Sequence, residues 1–341
     1  MPNDNTNTSI LLPANASRAI LEVYASGNGP EEFWYSNVPD EYVHTFKDYG
    51  MQFLGGGSFR EIIVYVNGHA AGAAWPFEVV FTGGICPGYW RPLVGHRTFD
   101  LPTYTFDLTP LIPLLQKNVS KIAIGVQGQP HTLQNWYVSG QLHIWYGNTT
   151  HFDIHPPIPS TADISWTGNV SHLNESFSIS THASRRDQMY EMEYQNSQSY
   201  GPISNDSAFR QKTWQKTKFG TPLTYGHYEF ESLSEEVTDD AGRIHVNGSL
   251  KQIFRHQIWN YFDELPTEEE AEVTTQGTFV FVPGVGVSEY NGTTSVTVSF
   301  VSPTRSYRRT VKALNHEIIS DVGRDVSIEP GLRGGIRKQI P

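Results

Sequence analysis

The chain has 341 residues, with 35 acidic against 24 basic side chains and a net charge of -11. That balance excludes a nucleic-acid binder, because no basic stripe is available to neutralise phosphates. The sequence holds no run of about 18 apolar residues, which excludes a membrane-spanning helix. An aromatic content of 13% excludes a disordered chain.

At a prior of about 150 residues per domain, the length fits two domains. The single cysteine, Cys86, excludes an internal disulfide framework and a Cys-based zinc site. Asn-x-Ser/Thr acceptors occur at Asn7, Asn15, Asn118, Asn148, Asn169, Asn174, Asn205, Asn247 and Asn291. They point to a protein of the secretory pathway or vacuole, or a secreted one. No secretory leader is recognisable at the start, so a trimmed chain is expected.

In chain order, Ala19–Tyr24 is an apolar run that reads as a strand, with Glu22 inside it. Residues 24–50 mix polar and aromatic types and read as a long loop. Arg60–Val66 reads as a strand leading through Asn67-Gly68 into a second apolar run ending near Phe81. Asn-Gly favours a type I′ hairpin because both central positions need positive φ. The same reading predicts turns at Asn247-Gly248 and Asn291-Gly292, the latter between strands at Phe279–Val282 and Val296–Phe300. One short helix is predicted, capped by Thr109 with Pro110 in its first turn and Leu111, Leu114 and Leu115 facing the core. The acidic stretches 229–240 and 263–272 read as solvated loops; a calcium site there lacks the spacing of a known loop. Strands at this spacing without long helices predict an all-β chain of antiparallel jelly-roll or β-sandwich domains. The Pro-rich segment Asp153–Ser160 places the boundary between residues 1–155 and a second β-sandwich over 161–341. Tyr190, Tyr194, Trp214 and Trp259 read as core of that second part.

The first 150 residues set aromatics beside carboxylates in Gly- and Pro-rich surroundings. Sugars present apolar C–H faces and a rim of hydroxyls, so their sites combine flat rings with Asp, Glu, Asn or Arg. Trp34, Tyr35, Trp75, Trp90, Arg91, Tyr104 and Trp136 are the candidate binding residues. Hydrolysis of a sugar or amide bond uses paired carboxylates. From Glu22, Glu31, Glu32, Asp40, Glu41, Glu61, Glu78, Asp100 and Asp107, position singles out Asp100 and Glu22. Asp100 precedes a turn-prone Leu-Pro, and an inward Glu22 would have a raised pKa, although strand alternation permits either face. Nothing in the spacing of His143, His151 and His155 fixes a metal. The sequence has neither a G-x-S-x-G elbow nor a P-loop. Cys86 reads as a small packed side chain rather than a nucleophile.

These same blocks resemble the peptide-N-glycosidase A family of plants and fungi, the peptide-N4-(N-acetyl-β-glucosaminyl)asparagine amidases. The resemblance runs through Ala16–Tyr24, Glu32–Asn37, Phe59–Ile62, Gly72–Phe77, Thr82–Ile85, Trp90–Pro92, Phe99–Tyr104, Asn135–Tyr137 and Leu142–Trp145. The blocks stand in the family's order, densely over residues 16–145. The resemblance implies a jelly-roll architecture and hydrolysis of the bond between an Asn side chain and the innermost GlcNAc of an N-glycan. It implies N-glycosylated peptides or glycoproteins as partners, no metal or other cofactor, and an acidic working pH. Glu32 and Asp100 would share the water-activating and proton-donating work, with Glu22 supporting one of them.

Two departures accompany the resemblance. Family members carry a further β-domain ahead of these blocks, so part of the machinery is expected to lie outside this chain. Cys86 stands where plant members have Asn, and Glu78 where they have a small polar residue. Two rival readings follow from the same residues. One is a glycan-binding module without catalysis. The other is a glycoside hydrolase, with two carboxylates about 5–10 Å apart around a glycosidic bond.

Overall fold

A computed structural model describes residues 7–49, 52–81, 84–147, 162–173, 175–186, 190–201, 206–220, 223–258 and 266–327. The expected boundary at 153–160, His151, His155, Trp259 and the acceptors Asn148, Asn174 and Asn205 lie outside these residues. The fold is all-β and antiparallel.

The first part of the chain supplies β1 (Asn7–Ile10), β2 (Ala16–Gly27), β3 (Phe59–Val66), β4 (His69–Ala74), β5 (Tyr104–Asp107), β6 (Ser120–Gln129) and β7 (Trp136–Tyr146). They form a four-stranded sheet, β1-β6-β3-β4, and a three-stranded sheet, β5-β2-β7. Period-2 alternation sends Leu21 and Val23 of β2 and Phe106 of β5 into one core with Ile62, Val64, Ile122 and Ile124 of the other sheet. This pair of sheets is a sandwich. Asn67 and Gly68 have φ of 51° and 84° and close the β3–β4 hairpin, as Asn-Gly chemistry predicts.

The helix spans Ile112–Lys117 after a 3-10 turn at Thr109–Leu111. Thr109 does not cap it; its Oγ1 accepts from the Ala19 amide at 3.1 Å and so ties the turn to β2. Ile112 and Leu115 face the core, whereas Leu114 is exposed. Helical spacing over six residues supports only one inward stripe.

Strands β8 (Asp163–Ser171), β9 (Ser176–Arg186), β10 (Tyr190–Tyr200), β11 (Asp206–Gly220), β12 (Leu223–Thr238), β13 (Ile244–Ile258), β14 (Thr267–Val282), β15 (Gly286–Val301), β16 (Arg305–Leu314) and β17 (Glu317–Ser327) follow. Each pairs with the next in a single ten-stranded sheet. Where the sequence suggests a second sandwich, these strands lay one face on the back of the first part. Phe59, Ile63 and Trp75 pack there with Ala183, Met192, Tyr194, Phe230 and Val273. Strand β3 is thus buried on both faces, which its run Phe-Arg-Glu-Ile-Ile-Val-Tyr-Val permits because both alternating sets are bulky.

The acidic stretch 229–240 is largely strand, not loop. In β12, Glu229 and Glu231 alternate with buried Phe230 and Ser232, so the carboxylates occupy the solvent side. Residues 267–272 likewise open β14. Asn247-Gly248 and Asn291-Gly292 lie inside β13 and β15 rather than at turns. The β14–β15 turn falls at Val282–Gly286, where Val285 N donates to the Val282 carbonyl and Gly284 has φ of 78°. Gly248, Gly277 and Gly292 are direct cross-strand neighbours on β13, β14 and β15. The turn Pro87–Tyr89 settles on this bare patch, with a Cβ at Gly277 only 3.2 Å from the Tyr89 ring. Sequence spacing alone cannot tell a turn glycine from one removed to admit a neighbour.

Candidate active-site crevice

The loop from β2 to β3 contains 3-10 turns at Gly29–Glu31 and Trp34–Ser36. The first turn drives Glu31 into the interior, where it is fully buried beside Arg60 of β3. Arg60 grips it bidentately, Nε to Oε2 at 2.6 Å and Nη2 to Oε1 at 2.8 Å. The Leu133 amide donates to Oε1 at 2.5 Å and Trp136 Nε1 to Oε2 at 2.6 Å. Arg60 Nη1 donates to the carbonyls of Gly56, Gly57 and Phe59. A buried ion pair is stable only when its remaining lone pairs and protons are satisfied in this way. Burial pushes the Glu31 carboxyl up, but the Arg60 hydrogen bonds and charge, with the Leu133 and Trp136 donors, hold it below the ordinary range.

Trp136 is thereby fixed by its ring nitrogen, and one side of it forms the wall of a narrow crevice. Trp34, Tyr104, Phe77 and Leu101 form the other walls, and Glu32 is the carboxylate among the lining residues. Tyr104 Oη accepts from the Phe77 amide at 3.0 Å, which fixes that wall too. A partly exposed carboxylate among aromatic rings can take a proton from water and hand it on. The sequence-chosen Glu32, Trp34, Tyr104 and Trp136 are therefore brought together.

The other predicted residues are placed elsewhere. Asp100 has 88% of its side chain exposed and pairs with Arg97 at 2.9 Å, which also binds Glu269 at 2.5 Å. Glu22 points away from the sandwich core and bonds to His143 at 3.1 Å. Neither lines the crevice. Trp75 and Trp90 are buried core rings, with Trp75 Nε1 donating to Glu61 at 3.0 Å and Trp90 Nε1 to the Gly84 carbonyl at 2.8 Å. Tyr35 is buried too, its carbonyl taking hydrogen bonds from Asn196, Gln198 and Gln211 of the ten-stranded sheet. These three rings offer no face to a sugar. Arg91 is exposed and donates to Tyr290 Oη at 2.9 Å. Cys86 is buried in the core, and burial pushes its thiol up.

Three buried carboxyls carry more of the structure than the sequence reading assigned. Besides Glu31, Glu61 binds Arg185 of β9 at 2.7 Å and so joins β3 to the ten-stranded sheet. Its burial outweighs Arg185 and Trp75, and its pKa is raised. Glu78 is fully buried with no partner for Oε1, and burial pushes it to about 8. The available signal was alternation: Glu61 lies between Phe59 and Ile63 on one strand face. A trough of about 1110 Å³ on the ten-stranded sheet is lined by Ser, Thr, Gln and Lys with Glu231 and by Ile179, Leu233, Leu250, Ala313 and Ile319, without an aromatic ring. It lacks the ring-and-carboxylate combination of the crevice. Among the described residues no group of three or more His, Cys, Asp or Glu is placed to hold a metal.

Residues 1–155, which contain the whole crevice, match the family model for peptide N-acetyl-beta-D-glucosaminyl asparaginase amidase A. Over this stretch, less than half of its length, the chain is similar to the peptide-N-glycosidase A family. A curated relative, the peptide-N4-(N-acetyl-beta-glucosaminyl)asparagine amidase A of Prunus dulcis, is 43% identical over 144 residues. The alignment covers 42% of this chain and 24% of that relative, so the chain spans about a quarter of the relative's length. No solved structure matches the chain. The ten-stranded sheet lies beyond the stretch that the family model matches.

Proposed function

We propose that this protein hydrolyses the amide bond between an Asn side chain and the innermost GlcNAc of an N-glycosylated peptide. The observation that carries the reading is the family match over the residues that place Glu32 between Trp34, Tyr104 and Trp136. Glu32 takes a proton from a water molecule as that water's oxygen attacks the Asn amide carbon. The C–N bond then breaks, and Glu32 returns the proton to the departing nitrogen. The products are an Asp-containing peptide and a glycosylamine, whose amino group is then replaced by water to give free glycan and ammonia. Trp136, the half-buried ring at the crevice, stacks against the C–H face of the innermost sugar. In this scheme Asp100 and Glu22 take no part.

Secretory origin is part of the same proposal. The acceptors Asn7, Asn15, Asn118, Asn169, Asn247 and Asn291 are all exposed, as modification requires. No helix among the described residues is long and apolar enough to cross a membrane.

The test is mass spectrometry of a short N-glycopeptide incubated with the chain at about pH 5, where a glutamic acid is part protonated. A gain of about 1 Da at the glycan-bearing Asn, with intact glycan released and with loss of this conversion in Glu32→Gln, is the expected result. GlcNAc left on Asn would instead establish a glycosidase. Binding without conversion by the folded chain would point to the second reading, a glycan-binding module, or to an amidase that needs residues outside this chain, which a longer chain carrying the upstream domain separates.

A further inference from the structure

The outer face of the β5-β2-β7 sheet carries a second combination of rings and polar groups. Alternation puts Tyr24 of β2 with Tyr137 and Trp145 of β7 on this face, because their neighbours Val23, Ala25, Val138 and Ile144 fill the core. Tyr137 is 70% exposed, Trp145 45% and Tyr24 43%. Tyr24 and Tyr137 lie toward one end of this face and Trp145 toward the other.

The groups between the rings are hydrogen-bonding ones. Register places Tyr24 opposite Ser139, Glu22 opposite Gln141, and Arg18 opposite Trp145. The Arg18 guanidinium lies over the Trp145 ring, 4.9 Å from its centre, and so covers one face of that ring and leaves the other to solvent. Arg18 and Glu22 bring one charge of each sign to β2 on this face, with His143 bonded to Glu22. Such a face has no sign with which to select a polyanion or a polycation. Its polar rows also suit a dry protein interface poorly, since each group would need a matched partner there. At about 3.4 Å per residue, Tyr137 and Trp145 stand roughly 27 Å apart along β7.

We propose that this face is a saccharide-binding platform that takes a linear chain of uncharged pyranose rings laid along β7. Trp145 and the Tyr24–Tyr137 pair stack on sugar faces near its two ends. Arg18, Gln141, Glu22 and His143 bind hydroxyl and acetamido groups between them. The platform lies on the side of the sheet opposite the sandwich core and does not depend on hydrolysis in the crevice.

The test is titration of the full chain with penta-N-acetylchitopentaose, followed by calorimetry and by tryptophan fluorescence. Saturable binding is expected, weakened about tenfold in Trp145→Ala and severalfold in Tyr137→Ala, with Trp145→Phe near wild type. Glu32→Gln is expected to bind this probe normally, and Trp145→Ala to convert a short glycopeptide as wild type does. Both truncated side chains are exposed, and circular dichroism checks their folding; if Trp145→Ala unfolds, Tyr137→Ala alone decides. Absence of binding at millimolar probe overturns the proposal. So does binding unchanged in the Trp145→Ala/Tyr137→Ala pair, or a dimer in sedimentation that Trp145→Ala abolishes.

Discussion

The hydroxyl of Tyr89 occupies the space where a Cβ on Gly248 would stand. No rotamer relieves such an overlap, because the ring is buried against Gly277 and the Gly88 carbonyl abuts Gly292. Gly248→Ala is therefore expected to destabilise the protein by several kcal/mol, well beyond the about 1 kcal/mol typical of substitutions. The Tyr89 hydroxyl is also buried without a hydrogen-bond partner, so Tyr89→Phe is expected to be neutral or stabilising. In combination, Tyr89→Phe should restore much of the stability lost in Gly248→Ala. Urea denaturation of the four proteins of this double-mutant cycle measures the coupling; additive effects would contradict the contact.

Glu78 is expected to make stability fall toward alkaline pH. Its folded-state pKa, about 8, exceeds the ordinary value of 4.5. Between these values the folded state binds more protons than the unfolded state, so stability declines as pH rises. The contribution is fully present below 4.5 and lost as pH passes through 8. Glu78→Gln should flatten the decline and raise the melting temperature at pH 8 relative to wild type. Thermal unfolding at pH 5 through 9 reads this directly.

His96 and His256 act in the opposite direction. Burial, with the Arg97 charge, lowers both to about 4 from 6.5. The unfolded chain then binds protons that the folded chain does not, and stability is lost as pH falls from 6.5 through 4. His256→Gln should reduce the acid-side slope without altering the alkaline one, as measured by the same series.

The Glu31–Arg60 pair is expected to tolerate no half removal. Glu31→Gln leaves a buried guanidinium uncompensated, at a cost of about 3–5 kcal/mol. Trp136→Phe removes one donor to that carboxylate and should cost about 1–3 kcal/mol, more than its small change in volume suggests. Chemical denaturation of both variants tests the order. An equal, negligible effect would mean that the carboxylate does not organise this loop.

Glycopeptide conversion should separate the three carboxylates that the sequence singled out. Glu32→Gln is expected to lose conversion by at least about 100-fold, the range typical of a general acid or base. Asp100→Asn should be nearly unaffected, since an exposed ion pair is worth about 0–1 kcal/mol. Glu22→Gln should likewise keep its turnover.

Much of this was legible in the residues. Alternation in β3 and the Asn67-Gly68 pair were sufficient for the first hairpin, whereas Glu32 came forward only through the family resemblance. What escaped was tertiary. Asn247-Gly248 and Asn291-Gly292 carry a turn's composition but serve close approach of Tyr89, which is remote in sequence. Glu229 and Glu231 looked like a solvated loop because one half of an alternating strand is indistinguishable from a charged segment until its buried partners, Phe230 and Ser232, are placed. Trp75 and Trp90 looked like platforms because composition does not say which rings another sheet will cover. Asp100 stood beside a crevice-lining Leu101 yet turned to Arg97.

The shared core of β3 and the ten-stranded sheet also governs when the chain can fold. Strands β8 to β17 can assemble hairpin by hairpin from neighbours in sequence, a topology that forms quickly. Pairing β2 with β7 instead closes a loop that joins Ala25 to Val138, a slower event. During synthesis the first 155 residues emerge before the sheet that covers Phe59, Ile63 and Trp75 exists. They must wait with those side chains in water, a state prone to association. The stretch that the family model recognises is therefore smaller than the unit that folds, and a fragment ending near residue 155 is expected to aggregate.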